Sequence, residues 1–568
     1  MAAAYVACLC ALKPDYHTFT AWPLRKVYLC ESVLRMQNGL FLLTLQRPRR
    51  VIYMLQIKNL TITHRKDLRV ILDKFNMALN AGDKAVIIGE EGNGKSTLMK
   101  WIYDPELADS YTECDGERIA NGEVMGYLPQ ELPEPDKDKT LYEYFSEAQL
   151  FYDKNPKELS GMAMDFNVPG DFFYSDQKMG SLSGGEKVKA QLMRMLMDNP
   201  TVLLLDEPSN DIDISTLELL EKLIREWKHI VLFISHDETL IENTANVIIH
   251  IEQIIRKTKS RYTIVRDNYK NYIERRARDY ERQDQQAIND RKEKKRRDEK
   301  LARVYNSVDN ALSNISKGSR DSIAKNLKDK MHSVKAMEKR FEREDANMTE
   351  MPEQEEAIFF NLGNKNSKIP AGKTVVEYKL DELRTPDNTN VLAKDIFLRV
   401  RGPEKICIVG TNGTGKTTLL KKIAEELLAR KDIKAQYMPQ NYEELLDLDV
   451  SPVEFLDDTG DKTVRTHIRM ALGALKYTTD EMNHPIRELS GGQKAKVLLL
   501  KMSLSDANVL ILDEPTRNFS PLSGPVIRKV LSSFPGAVIS VSHDRKYIEE
   551  VCTKTYTLSE RGLEEIPS

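Results

Sequence analysis

The sequence predicts an α/β fold built twice, the two copies joined by a long antiparallel helical hairpin. Three observations predict it. Four motifs recur: Gly89-Glu-Glu-Gly-Asn-Gly-Lys95-Ser96 returns as Gly410-Thr-Asn-Gly-Thr-Gly-Lys416-Thr417, Leu182-Ser-Gly-Gly-Glu186 as Leu489-Ser-Gly-Gly-Gln493, Leu205-Asp-Glu-Pro208 as Leu512-Asp-Glu-Pro515, and Ser235-His-Asp237 as Ser542-His-Asp544, the last three all offset by 307 residues. Short, continuous apolar runs precede the motifs, as expected for parallel strands covered on both faces. Between the copies, about 75 charged residues carry a thin apolar stripe at helical spacing.

Taken in order, residues 1–53 show no clear period and end in the basic block Arg47-Pro-Arg-Arg50. One reading makes Met54 the natural start; the other makes 1–53 a short helical or disordered leader. Met54 opens an alternating strand and a first α/β domain over 54–265. Its buried strands are read at 85–89, 201–205 and 230–235, with a helix beginning at Thr97. A linker follows over 266–351. Its first half carries Tyr269, Ile273, Ala277, Tyr280 and Ala287 on one stripe. Its second half carries Ile323, Leu327, Met331, Val334, Met337 and Phe341, spaced 4-4-3-3-4, a seam of coiled-coil type. A polar break from Asn306 to Ser319 separates them, so two helices of about 35 residues should form an arm of roughly 50 Å. The second α/β domain spans 352–568, with strands at 405–410, 508–512 and 537–542.

With 568 residues, 41% of them hydrophobic, the chain holds more than two ordinary domains' worth of core. No apolar run approaches the roughly 20 residues that span a bilayer, and Met1–Leu12 lacks the basic region of a secretory signal. A soluble, cytoplasmic chain with no membrane partner is expected. Cys8, Cys10, Cys30, Cys114, Cys407 and Cys552 form no C-x-x-C pair and read as scattered reduced thiols. The net charge of −3 hides an asymmetry: residues 271–345 carry +6 and residues 1–53 carry +5, which leaves −14 elsewhere. Two acidic bodies flank a basic connector, a place for a polyanion.

The glycine-rich loops have the pattern whose backbone amides cradle phosphates. Gly89, Gly92, Asn93, Gly94, Lys95, Ser96 and Thr97 would form one cradle, and Gly410, Gly413, Thr414, Gly415, Lys416, Thr417 and Thr418 the other. The lysines would neutralise the β- and γ-phosphates, and Ser96 and Thr417 would offer hydroxyls to Mg²⁺. Asp206 and Asp513 end apolar strands, where their carboxylates reach the same ion. Glu207 and Glu514 follow directly, placed to polarise a water for attack.

Leu-Ser-Gly-Gly-Glu/Gln, 23 residues from its serine to the strand-end aspartate, resembles the signature of ABC-type ATPases. Gln130 and Gln440 resemble that family's Q-loop glutamines, which also contact the metal, and His236 and His543 its switch histidines. The resemblance implies that each signature completes the ATP site of the other cassette. Site one would join Lys95, Ser96, Gln130, Asp206, Glu207 and His236 to Ser490, Gly491, Gly492 and Gln493. Site two would join Lys416, Thr417, Gln440, Asp513, Glu514 and His543 to Ser183, Gly184, Gly185 and Glu186. ATP would close this intramolecular dimer of a monomeric chain, and hydrolysis release it. Two departures stand out. The D-loop aspartate is present at Asp213 but is Ser520 in the second copy, which predicts unequal sites. For stacking the adenine, His64 is the candidate in the first copy and the second shows none.

Two cassettes in one chain without membrane helices, joined by a basic hairpin, resemble the ABC-F class, over about Met54–Ser568. The class implies binding to ribosomal RNA and to tRNA near the ribosomal exit site, with the hairpin reaching toward the peptidyl-transferase centre. The 53 and 50 residues from Q-loop glutamine to signature serine leave no room for a large extra arm, as in members that protect ribosomes from antibiotics. The tip candidates are Tyr305, Leu312, Ile315, Lys317 and Arg320; Leu312 and Ile315 equally suit hairpin closure. The alternatives are a translation factor that relieves stalling, the ATPase half of a transporter, a DNA-bridging ATPase of the SMC type, and a nucleotide-binding scaffold without turnover.

Overall fold

The computed structural model describes residues 54–566, except 121, 211, 255–258, 314–319, 346–347, 350–361, 363–366 and 386–388 and the side chains of 309 and 311–328. Before residue 54 it describes only Met36–Gln37 paired antiparallel with Leu40–Phe41, so both readings of the leader lie outside the described residues.

In the first copy, β1 (Met54–His64), β2 (Val70–Asn80) and β4 (Thr112–Ile119) form a three-stranded antiparallel sheet. A second sheet is built from β3 (Lys84–Ile88), β5 (Met125–Leu128), β6 (Val202–Asp206), β7 (Ile230–Ile234), β8 (Val247–Ile254) and β9 (Lys259–Val265), in the order β9-β8-β3-β7-β6-β5. Only β9 is antiparallel to its neighbour. In the second copy, β10 (Thr374–Arg384) pairs antiparallel with β11 (Val391–Arg401). The main sheet there comprises β12 (Lys405–Val409), β13 (Ala435–Met438), β14 (Val509–Asp513), β15 (Ala537–Val541), β16 (Lys554–Ser559) and β17 (Gly562–Ile566), in the order β13-β14-β15-β12-β16-β17. The two orders are the same motif by motif.

The apolar runs explain this. Every residue of β3, β6, β7, β14 and β15 is buried. Alternation sends Val86 and Ile88 into one core cluster and Ala85 and Ile87 into the other, so each sheet is filled from both faces. Parallel pairing then brings the ends of β3, β6 and β7 to one edge. The glycine-rich loop, the carboxylates and the histidine meet there.

The arm consists of α5 (Tyr269–Ser313) and α6 (Arg320–Asp345), of 45 and 26 residues, hence about 67 and 39 Å long. Two equal helices of about 35 residues were the expectation, and the break at 306–319 is shorter than expected. The helix continues through Asn306–Ser313 because Val308, which is buried, extends the apolar stripe past the polar residues. Ala277 is exposed; the stripe passes instead through buried Tyr272 and half-buried Arg276, which find hydrogen-bond partners on β8. In the seam of α6, Val334 is buried and Met331, Met337 and Phe341 are half-buried, while Ile323 and Leu327 lie outside the described side chains. Where α6 ends against the middle of α5, Arg297 pairs with Glu344 and, at 3.0 Å, with Asp345, and Lys294 reaches Asp345 at 2.8 Å.

So thin a seam makes the arm sensitive to one buried charge. Val334→Asp should loosen the arm while leaving the cassettes intact. Limited trypsin digestion should then cut within 266–351 at least about ten-fold faster, with the thermal transition of the cassettes unmoved.

Candidate functional site

Both glycine-rich loops are closed on themselves. Lys95 Nζ donates to the carbonyls of Gly89 and Glu90 at 2.9 and 3.0 Å, and Lys416 Nζ to those of Gly410 and Thr411, both at 2.9 Å. Helices α1 (Lys95–Tyr103) and α7 (Lys416–Ala429) start after a left-handed residue, Gly94 or Gly415, and neither start is capped by a side chain. Amides at such a helix start are the groups that hold phosphate oxygens. Gly89 must be glycine for a second reason, since a Cβ would lie 2.2 Å from the Ile251 carbonyl oxygen. Asn93 Nδ2 also donates to that carbonyl, at 3.1 Å. Thr414 Oγ1 donates to the Thr411 carbonyl at 2.9 Å, while Thr97 occupies the third position of α1.

Behind the first loop, Ser96 Oγ donates to Asp206 at 2.9 Å and Tyr127 to its other oxygen at 3.3 Å. In the second copy both Asp513 oxygens are buried without a hydrogen bond of normal geometry, with Thr417 beside them. Burial pushes both aspartates up to about 6. The orphaned Asp513 oxygens next to a hydroxyl fit a small hard cation; Thr417 with Asp513, and Ser96 with Asp206 in the first copy, would hold Mg²⁺.

Glu207 and Glu514 share a rare conformation, each with φ of 50°. Such strain in a non-glycine residue is stored where function needs it. Their surroundings differ. Glu207 receives Gln130 Nε2 at 2.8 Å, Asn210 Nδ2 at 2.6 Å and His236 Nε2 at 3.3 Å. Burial alone would raise this carboxyl, but His236, Lys95 and Asn210 outweigh it and hold it at about 2. Glu514 has only weaker partners, Ser542 Oγ and the His543 amide, both at 3.3 Å. Burial, then the charge of Asp513, push it up to about 8. Burial, then Lys416, hold His543 down to about 4.

The signature serines cap α2 (Gly184–Met197) and α8 (Gly491–Leu504). Ser183 and Ser490 accept from the amides of Glu186 and Gln493, whose side chains accept in return from the serine amides at 2.9 and 3.0 Å. Glu186 and Gln493 are thus spent within their own caps and do not reach across. Each signature does face the other copy's loop. A cavity of about 500 Å³ is lined by Gly184, Asn412, Gly413, Gly415, Lys416, Thr417, Thr418, Gln440, Glu514 and His543. Opposite it, the Gly492 amide donates to Glu91 of the first loop.

Residues 72–210 and 393–517 match the family described as ABC transporter. The chain is 26% identical over 514 residues to the ribosome protection protein VmlR of Bacillus subtilis, covering 87% of this chain and 85% of that one. It is 26% identical over 544 residues to ABC transporter F family member 5 of Arabidopsis thaliana, covering 87% and 74%. An archaeal ribosome recycling factor, aABCE1, solved with the stalk protein aP1, shares the fold: TM-score 0.53, 17% identity, 90% and 89% covered. The chain is an ABC-F ATPase. Among the described residues no helix is long and apolar enough to cross a membrane.

The two faces between phosphate loop and opposing signature in this ABC-F ATPase are built differently. At site one, His236 is held at both ring nitrogens, by Glu207 and, at 2.7 Å, by the Phe519 carbonyl of the other cassette. Lys496 reaches Glu90 at 3.2 Å. The cavity between Glu90, Glu91 and Ser490–Gln493 is only about 30 Å³. At site two, His543 Nδ1 is buried without a partner. Asp213 caps α3 (Ile214–Glu226), accepting from Thr216 at 2.9 Å, and also accepts from the Asn412 amide in the opposing phosphate loop. Ser520 bonds only to its neighbour Ser523, at 3.1 Å. Thr385 and Leu392, which the sequence did not single out, line the cavity at site two. In the first copy His64 is engaged by Asp67 at 2.7 Å.

The cassettes are also held together by charge. Arg528 on α9 (Gly524–Ser532) forms a bidentate pair with Glu238 on α4 (Glu238–Thr244), at 2.8 and 3.2 Å. Arg545 on α10 (Arg545–Val551) reaches Glu221 on α3 at 3.1 Å, and Lys546 adds bonds to Glu238 and Glu242 at 3.2 and 2.5 Å. Glu221 and Arg528 are 307 residues apart, as are Glu238 and Arg545. The pairs are therefore pseudo-symmetry mates, with the acids in the first cassette and the bases in the second. Sequence reasoning missed them, although the fixed offset makes the charge inversion readable. Asn210 and Arg517 differ at the same offset, and were also missed.

Glu238 and Arg528 are only 6% and 3% exposed. Arg528→Glu should therefore destabilise the cassette interface by about 3–5 kcal/mol, read as a lower thermal midpoint and an expanded chain in small-angle scattering. Adding Glu238→Arg should restore only part of both, because Glu550 and Lys546 then meet like charges.

Proposed function

We propose that this ATPase acts in the cytoplasm on the ribosome: ATP closes the cassettes, the closed form binds ribosomal RNA, and the arm acts beside the tRNA at the exit site, near the peptidyl-transferase region, protecting the ribosome from antibiotics. The arm carries this reading. Seventy-one helical residues stand between two ATPase cassettes. Beyond its root, the buried described side chains of the arm are Ala287, Val308 and Val334. A basic surface on so slender an element suits a deep polyanionic target. The name of the relative VmlR supports the protective role.

Within each site, Lys95 or Lys416 turns from its loop carbonyls to the phosphates, and the amides that open α1 or α7 hold their oxygens. Bound Mg²⁺, on Ser96 and Asp206 or on Thr417 and Asp513, would neutralise phosphate charge. Glu207 takes the proton of the attacking water, oriented by His236 and Gln130. Glu514, His543 and Gln440 form the second set, and its more buried glutamate must lose its own proton first. The signal reaches the arm along β8. The Ile251 carbonyl takes Asn93 of the phosphate loop, while on either side His250 and Glu252 hold arm residues Tyr272 and Arg276, at 2.7 and 3.0 Å. Of the tip candidates, Tyr305 lies half-exposed on α5, two turns before its end. Leu312 and Arg320 are helical with undescribed side chains, and Ile315 and Lys317 lie outside the described residues.

A general role on stalled ribosomes is the second reading: F family member 5, at the same 26% identity, has no protective role in its name. Inhibitory concentrations in a drug-sensitive bacterium expressing the chain separate the two: protection raises them for antibiotics of the large subunit, and a general role does not. Glu207→Gln with Glu514→Gln should lower ATP turnover at least about 100-fold and make the chain accumulate on ribosomes when ATP is present. Co-sedimentation no greater than wild type would refute the ATP-gated binding.

A further inference from the structure

The phosphate loops differ where they meet the opposing signature. The first reads Gly89-Glu90-Glu91-Gly92 and the second Gly410-Thr411-Asn412-Gly413. Only the first therefore brings carboxylates to the interface. The Glu91 carboxylate accepts from the amide of Gly492. Its two oxygens are the atoms that a Cβ on Gly491 or Gly492 would meet first or second, at 3.3 and 2.9 Å. Beside it Glu90 pairs with Lys496, one turn into α8. In the second loop the corresponding positions are a threonine and an asparagine, and Asn412 lines a cavity of about 500 Å³ there. The amides that open a signature helix favour an anion. In the first site this chain supplies that anion itself.

We propose that Glu91 is a tethered anion that keeps the nucleotide-free first site shut by standing on the Gly492 amide, where a nucleotide phosphate would otherwise be received. The proposal rests on the reading of the composite sites as ATP sites. The carboxylate and a triphosphate cannot share one amide, and two anions at that distance repel. Glu91 must leave before the first site closes on ATP. The second site, which has no such group, loads first and more tightly. The reaction chemistry is unchanged; Glu91 sets the order of loading.

Two measurements on the full chain test this. In hydrogen exchange without nucleotide, Glu91→Ala should speed exchange of the amides in 490–493 about ten-fold, with 183–186 unchanged. Unchanged exchange at 490–493 would overturn the clasp. For nucleotide, a fluorescent ATP analogue is titrated into the Lys416→Ala chain, which leaves the first site, and into the Lys95→Ala chain, which leaves the second. Glu91→Gln should tighten binding about ten-fold in the former and leave the latter unmoved. No change in the former, or equal change in both, overturns the proposal. Binding in neither background would remove the reading of the sites as ATP sites, and the loading order with it, while the exchange result would still stand or fall on its own.

Discussion

The charged interface between the cassettes is the constraint on which the functional sites depend. Each phosphate loop faces the signature of the other cassette. Arg528 with Glu238, and Arg545 with Glu221, hold the two faces in register without nucleotide. A buried pair of this kind costs desolvation and contributes little net stability, but leaving one partner alone costs much more. Its use here is orientation. Because the acids lie in the first cassette and the bases in the second, a cassette meeting its own kind would bring like charges together. The arrangement selects the pairing within the chain.

That frame makes the two sites different machines. Glu207 sits in a network of three donors and is ionised at neutral pH. Glu514 is more deeply buried, faces Asp513, and holds its proton up to about 8. In the first, Glu91 and Glu90 tie the phosphate loop to the opposing signature helix. In the second, Asp513 and Glu514 lie buried side by side with few hydrogen bonds.

The arm connects to this through one strand. β8 carries a phosphate-loop contact at Ile251 and arm contacts at His250 and Glu252. One strand thus ties the phosphate loop to the root of α5, a helix of about 67 Å. Polar contacts suit this link because they are directional.

Much of this was written in the chain. Continuous apolar runs could only be doubly covered strands, so the parallel sheets and the edge that bears the motifs followed from local pattern. The glycine-lysine loops, the strand-end carboxylates and the serine caps of the signature helices are local devices, legible because their physics acts within a few residues. The substitution of Ser520 for the aspartate seen at Asp213 already pointed to unequal sites. Tertiary structure alone decided which side chains meet across the interface. The clasp of Glu91 on Gly492, the Phe519 carbonyl on His236 and the pairs of Arg528 and Arg545 join residues hundreds of positions apart. It also decided the length of α5, where a buried valine outweighed polar residues of low helix propensity, and the ionisation of the two glutamates, which depends on burial. The sequence by itself determined two cassettes and a basic arm, because propensity and pattern act locally. The inequality of the two sites in depth and charge came from packing, because desolvation and long-range contacts exist only once the chain has folded.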